Sequence, residues 1–85
     1  MKVAYTSNFL RKTKKLPKDL QIDIIKKIDD FQKNSDDPTL KVHSLHGKFK
    51  GSYSFSVNYY HRIVFEYISK SEVVLLDFGD HDVYK

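Results

Sequence analysis

The chain contains no cysteine among its 85 residues. Neither disulfide bonds nor a thiolate zinc site can therefore stabilise it, and nothing indicates an oxidising compartment. No stretch approaches the roughly 20 apolar residues needed to cross a bilayer, and the N-terminal run has no apolar segment typical of a signal peptide. These absences predict a cytoplasmic protein without membrane contact and, at this length, a single domain over residues 1–85.

Basic residues are concentrated in the first part of the chain. Residues 1–50 hold 12 Lys/Arg and 6 Asp/Glu, residues 51–85 hold 3 and 5, and the formal net charge is +4. Positive charge favours a polyanionic partner such as RNA or DNA, but mild basicity is also common in proteins that bind neither. The charge alone does not decide between these classes.

Residues 3–34 predict a short strand followed by two helices. Residues 3–5 are typical of a strand, and the following TSN run supplies N-cap residues for a helix that begins near Ser7. Pro17 disfavours helical geometry at Leu16 and suits the first turn of a new helix, which predicts a tight corner and a second helix to about Asn34. Apolar residues at helical spacing predict the core-facing stripe of this second helix, namely Leu20, Ile22, Ile24, Ile25, Ile28 and Phe31.

Strict alternation of apolar and small polar residues predicts a strand over residues 52–58. Its buried face consists of aromatic and aliphatic side chains, and its other face, expected to be open, carries the hydroxyls of Ser52, Ser54 and Ser56. Residues 61–68 and 72–78 predict two further strands in an antiparallel meander. Pairing of Asn58 with Arg62 is the expected register.

Arg62 lies in the central run of this predicted sheet, beside the serine face. An arginine there is costly to bury without a partner, so it is expected either to pair with a carboxylate such as Glu66 or to face a surface that binds anions. The residues alone leave both alternatives open.

Histidines and lysines precede the sheet. His43 and His46 are three residues apart, but without cysteine or an H-E-x-x-H pattern they do not predict a metal site. Lys48 and Lys50 alternate around Phe49, which places both ammonium groups on one side if the segment is extended. After the sheet, a polar tail contains His81 and Tyr84.

Taken together, the helical corner around KLPKDL, the LHGKFKG approach, the YSFSVNYYHRIVFEY hairpin and the GDHDVY ending resemble the RelE/ParE superfamily of toxins from type II toxin–antitoxin modules. The resemblance spans essentially the whole chain and is nearest to the RelE, YafQ and HigB-like mRNA interferases. It implies an α+β fold in which an N-terminal strand and a helical hairpin pack on one face of a small, mostly antiparallel four-stranded sheet. The opposite face is then expected to bind mRNA.

The resemblance also implies roles for individual residues. Arg62 falls where these nucleases place a transition-state arginine, His81 where they carry a histidine or arginine, Tyr84 near their C-terminal aromatic, and His43 at the histidine of the YafQ-like branch. Ser54 and Ser56 stand where other members carry lysine, arginine or histidine, which removes a charge or a base from the cleft.

The implied activity is ribosome-dependent mRNA cleavage by attack of the ribose 2′-hydroxyl on the adjacent phosphate, without metal or cofactor. Histidines that titrate near neutrality can share the two proton transfers, and an arginine can stabilise the charged transition state. We expect His43 as general base, His81 as general acid and Arg62 as stabiliser, although the reverse assignment of the histidines stays open. Tyr84 is expected to orient or stack on a base.

The expected RNA-binding residues are Lys48, Lys50, Ser54 and Ser56. The expected partners are a cognate antitoxin, in a toxin–antitoxin hetero-oligomer, and mRNA in the ribosomal A site. Two alternatives remain at this point: a ParE-like DNA gyrase inhibitor of the same fold, or a catalytically weak interaction module.

Overall fold

A computed structural model of the chain describes residues 1–80, apart from the side chain of Lys48. The order of the elements is β1 (Lys2–Tyr5), α1 (Ser7–Lys14), α2 (Lys18–Lys33), β2 (His43–Ser44), β3 (Tyr53–Ser56), β4 (Arg62–Ser69) and β5 (Glu72–Gly79), with 3₁₀ turns at Pro38–Leu40 and Gly47–Phe49. Within residues 1–80, no helix has the length and apolar character required to span a membrane.

The strands form one sheet in the order β1-β5-β4-β3-β2. The α+β fold is confirmed, but the prediction of four strands is wrong for this described part of the chain, where the sheet has five. The added strand is β2, which pairs with β3 through only two residues and therefore has no alternation to reveal it in the sequence. β1 and β5 are parallel, whereas the β5-β4-β3-β2 pairings are antiparallel.

The corner between α1 and α2 forms as predicted. Side-chain hydrogen bonds stabilise the start of α1 and the turn between the two helices. The Thr6 hydroxyl accepts a hydrogen bond from the Phe9 backbone N–H at 3.1 Å, which caps α1, and donates to the Leu75 carbonyl at 3.0 Å. Beyond the last turn of α1, Gln21 Nε2 donates to the carbonyl oxygens of Thr13 and Leu16 at 3.1 Å each. The hairpin is thus tied to β5 and to its own turn.

The core lies between the helices and one face of the sheet. Phe31 of α2 has no exposed surface, stacks on Phe55 with ring centroids 4.6 Å apart and meets Phe65 edge-on at 5.0 Å. Two members of the predicted stripe are not core residues, since Ile22 and Ile25 are 57% and 68% exposed. The small sheet covers only a narrow band of α2, so the apolar stripe is wider than the surface it packs against.

The register of the β3–β4 hairpin differs from the prediction by two residues. Ser56, not Asn58, lies opposite Arg62, and Tyr53 lies opposite Phe65. A shift of two preserves the alternation of faces, so the aromatic residues remain on the helical side as expected. The difference arises because the connecting loop is longer than predicted: Val57 N–H donates to the His61 carbonyl at 3.0 Å, and Asn58 lies inside the loop.

Candidate functional site

The sheet face opposite the helices brings together residues from β2, β3 and β4. His43 is the register partner of Ser54, and Ser54 is the register partner of Val64. Side chains of register partners in an antiparallel pair lie on the same face. Arg62, two residues before Val64, lies on this face as well.

The serines on this face are buried, so the expectation of an open hydroxyl surface is wrong. Ser52, Ser54 and Ser56 are 3%, 0% and 7% exposed. Ser54 and Ser56 lie on β3, an inner strand of the sheet. Ser52 immediately precedes this strand and donates a hydrogen bond to Glu66 Oε1 at 3.1 Å. The hydroxyls of Ser54 and Ser56 are thus not exposed, and their contact with RNA stays a prediction.

Arg62 forms hydrogen bonds with the backbone of the β3–β4 hairpin loop. Its Nη1 atom donates to the carbonyl oxygens of Asn58 at 2.9 Å, His61 at 3.1 Å and Tyr59 at 3.3 Å. Of the two alternatives from the sequence, the ion pair with Glu66 does not form. Within residues 1–80, the Nε and Nη2 groups of Arg62 have no hydrogen-bond partner, so the guanidinium is held in place with donors left for an anion.

Arg62 borders an open groove of about 640 Å³ at the end of the β3–β4 hairpin. Its lining carries the cations Lys27, Lys41 and Arg62 and the carboxyl group of Asp80. The full lining is Lys27, Thr39, Lys41, Ser56, Val57, Asn58, Tyr59, Tyr60, Arg62 and Asp80. We call this the hairpin-end groove.

Sequence reasoning missed most of the hairpin-end groove. Lys27 of the second predicted helix was not among the expected site residues, and neither were Tyr59 and Tyr60, which fall between two predicted strands. Both tyrosines are strongly exposed, at 81% and 68%. Two adjacent exposed aromatics in a polar turn were the available signal, whereas the approach of Lys27 and Lys41 depends on the tertiary fold.

His43 is exposed on β2, and a backbone contact orients its ring. Nδ1 lies 3.0 Å from the Lys41 carbonyl oxygen. A carbonyl oxygen only accepts hydrogen bonds, so Nδ1 carries the hydrogen and Nε2 is the basic nitrogen of the neutral ring. This tautomer suits a general base acting through Nε2.

The remaining predicted residues stand as follows. His81 and Tyr84 lie outside the described residues, as does the Lys48 side chain. Lys50 is exposed, but the expected extended segment is wrong because a 3₁₀ turn at Gly47–Phe49 replaces it. Within residues 1–80, no group of three or more histidine, aspartate or glutamate side chains is arranged to hold a metal ion.

No family model matches the sequence, and no curated protein matches it significantly. Several solved structures, in contrast, are similar to the chain. The YoeB/ParE toxin from Agrobacterium tumefaciens is similar with a TM-score of 0.74 at 18% identity, covering 95% of this chain and 99% of that one. YafQ from Escherichia coli BL21(DE3) gives 0.69 at 17% identity, covering 95% and 93% of the two chains. The toxin–antitoxin complex RelBE2 from Mycobacterium tuberculosis gives 0.64 at 19%, covering 94% and 96%.

The alignments with these three proteins cover at least 93% of each chain, so the similarity extends well beyond a single motif. The chain therefore has the fold of the RelE/ParE superfamily toxins, which confirms the resemblance stated from the sequence. At these identities the likeness establishes the fold and leaves the activity to be argued from the site.

Proposed function

We propose that the protein is the toxin of a type II toxin–antitoxin system and acts as a ribosome-dependent mRNA endoribonuclease. The observation that carries the proposal is the placement of His43 and Arg62 on one sheet face, with a single strand between theirs. Two strand spacings, about 10 Å, and an offset of two residues along the strands, about 7 Å, separate their backbones by roughly 12 Å. A ribose and its 3′-phosphate can bridge this span with the help of the side chains.

The proposed reaction needs two proton transfers and charge stabilisation. His43 Nε2 removes the proton of the ribose 2′-hydroxyl, whose oxygen attacks the adjacent phosphorus. The phosphorus–O5′ bond breaks, and the departing 5′-oxygen takes a proton from His81. The products are a 2′,3′-cyclic phosphate and a 5′-hydroxyl, so neither water nor metal enters the bond-breaking step.

Arg62 would stabilise the transition state. The loop carbonyls hold its Nη1 atom, which orients the planar guanidinium before substrate arrives. Donors that are already fixed need little reorganisation when phosphorane charge develops, and this is the condition under which they stabilise a transition state most. Tyr84 remains the proposed contact to a base, and Lys48 and Lys50 the proposed contacts to the RNA backbone.

An antitoxin is the proposed protein partner, as in the RelBE2 toxin–antitoxin complex. The helical side has exposed apolar residues, including Leu10 at 52% and Ile25 at 68%, around a groove of about 350 Å³ between α1 and α2. Apolar surface of this kind is commonly covered by a partner protein. The basic residues of α1 favour an acidic amphipathic helix as the occupant.

Mapping of mRNA ends tests the activity. Purified protein added to a translation reaction is expected to cut mRNA within ribosomes and to leave a cyclic phosphate and a 5′-hydroxyl, while the same mRNA without ribosomes stays largely intact. Intact mRNA together with inhibition of DNA supercoiling by gyrase would instead identify a ParE-like gyrase inhibitor. Failure of both activities by folded protein would favour an interaction module.

A further inference from the structure

The hairpin-end groove extends beyond the residues needed for cleavage. Lys27 comes from α2, Lys41 follows the Pro38–Leu40 turn, and both face the same space as Arg62. With Asp80 included, the charged lining has a net charge of +2. Neither lysine has a direct ion-pair partner within residues 1–80, although Lys27 lies near enough to Asp37 to contribute to the lowered pKa of that carboxyl.

Ser56 adds a second indication of a ligand. It lines the groove, is 7% exposed, and its hydroxyl has no hydrogen-bond partner in the described part of the chain. A buried hydroxyl without a partner lowers stability unless a ligand or water satisfies it. It lies directly opposite Arg62, so one anion at this position would be near both side chains.

Aromatic rings border the same groove. Tyr59 and Tyr60 are 81% and 68% exposed, and their rings are arranged edge to face with centroids 5.1 Å apart. Exposed tyrosines beside cations are the combination that binds single-stranded nucleic acid, because bases stack on the rings while the cations neutralise phosphates. A carboxylate-rich peptide would need the cations but not the rings.

We propose that the hairpin-end groove is a nucleotide subsite, which holds the RNA residue next to the one that is cut. Lys27 and Lys41 bind its phosphate, and the base stacks on Tyr59 or Tyr60. Arg62 lies at the junction between this subsite and the cleavage site. The inference rests on the proposed function for the identity of the polyanion as RNA.

Binding of a non-cleavable RNA separates the subsite from the activity. The probe is a fluorescein-labelled 2′-O-methyl RNA nonamer, and its anisotropy is measured with the full chain between 50 and 200 mM salt. The double variant Lys27→Gln/Lys41→Gln is expected to reduce the magnitude of the slope of log K against log salt by about 0.7 to 1.4, which corresponds to one or two phosphates. The matched control Lys26→Gln/Lys70→Gln removes the same charge at exposed positions outside the groove and should leave the slope near wild type.

The stacking component has its own control. Tyr59→Leu/Tyr60→Leu is expected to weaken RNA binding about fivefold or more, whereas Tyr59→Phe/Tyr60→Phe keeps the rings and should bind like wild type. Against a nonamer of abasic sugar phosphates, the leucine and phenylalanine variants should bind equally.

Equal slopes for the two lysine variants, or equal RNA affinity for the two tyrosine variants, would overturn the subsite even if mRNA cleavage is confirmed. Conversely, the expected binding losses in a protein that cuts no mRNA would support nucleotide binding by the groove and refute both the nuclease and the position of this site beside a cut. Tighter binding of a hexaglutamate peptide than of RNA, lost in Lys27→Gln/Lys41→Gln, would also overturn the proposal in favour of a protein ligand.

Discussion

The Nη1 atom of Arg62 donates a hydrogen bond to the backbone carbonyl oxygen of Asn58 at 2.9 Å. The arginine proposed to act on phosphate is thus also a structural clamp on the β3–β4 loop. Its replacement is therefore expected to affect both the proposed catalysis and the geometry of the loop, and the two effects have to be measured separately.

Arg62→Lys is expected to lower the rate of ribosome-dependent mRNA cleavage about 10²- to 10³-fold, because lysine keeps the charge but loses the planar fork of donors. Primer extension on a defined mRNA measures the rate, and urea unfolding measures the loss of loop contacts. Arg11→Lys, on an exposed position of α1, is the matched control. A cleavage rate for Arg62→Lys within threefold of the control would contradict the proposed role.

His43→Asn tests the proposed role of His43 as general base while retaining its hydrogen bond to the backbone. An asparagine amide can still donate to the Lys41 carbonyl, as His43 Nδ1 does, but provides no basic nitrogen. We expect the cleavage rate to fall about 10²- to 10⁴-fold, with little change in thermal stability. The control His46→Asn removes a second exposed imidazole three residues away. Equal rates in the two variants would remove His43 from the mechanism.

Ser52 and Ser56 are both buried, but only Ser52 has a hydrogen-bond partner within residues 1–80, so their alanine variants are expected to change the free energy of unfolding in opposite directions. Ser56→Ala removes a hydroxyl that has no partner within residues 1–80 and is expected to raise the free energy of unfolding by up to about 1 kcal/mol. Ser52→Ala breaks the hydrogen bond to Glu66 and is expected to lower it by about 1 kcal/mol. Urea unfolding at neutral pH measures both. The same sign for the two variants would show that hydrogen bonding of these hydroxyls does not set the difference.

Asp37 makes a pH-dependent contribution to stability. Hydrogen bonds from the Thr39 side chain and backbone lower the pKa of this carboxyl from its ordinary value of 3.8. A depressed pKa in the folded state means that the stabilisation is present above 3.8 and is lost as the pH falls through the folded-state value. The difference in melting temperature between wild type and Asp37→Ala should therefore be largest near pH 7 and shrink below pH 3.8. A constant difference over this range would exclude the ionised carboxylate as its source.

The helices and the faces of the sheet could be predicted because they depend on local rules. Thr6 and Pro17 mark helix ends by their backbone chemistry, and the alternation from Tyr53 to Ser56 survives even an error of two residues in register. The placement of Arg62 on the serine face followed from that alternation, whereas the position of His43 on the same face depends on the pairing of β2 with β3.

The remaining features depend on long-range packing. Ile28 is buried and Ile25 is exposed, although both belong to the same predicted apolar stripe, because the sheet covers only part of the surface of α2. The Asn58 side chain accepts hydrogen bonds from the backbone N–H groups of Tyr60 and His61 and thereby sets the loop length, which the residue type alone does not reveal. The hairpin-end groove likewise exists only because Lys27 and Lys41, far apart from Arg62 in sequence, meet it in the fold.

Lys41 has φ of +52°, a left-handed conformation that glycine adopts without strain. If the Lys41 side chain serves the groove, Lys41→Gly should make the protein more stable and a poorer binder of RNA at once. Under the proposed function, selection for stability alone would favour glycine at this position, whereas selection for RNA binding would favour lysine. A screen for thermostable variants is then expected to recover Lys41→Gly together with weakened RNA binding.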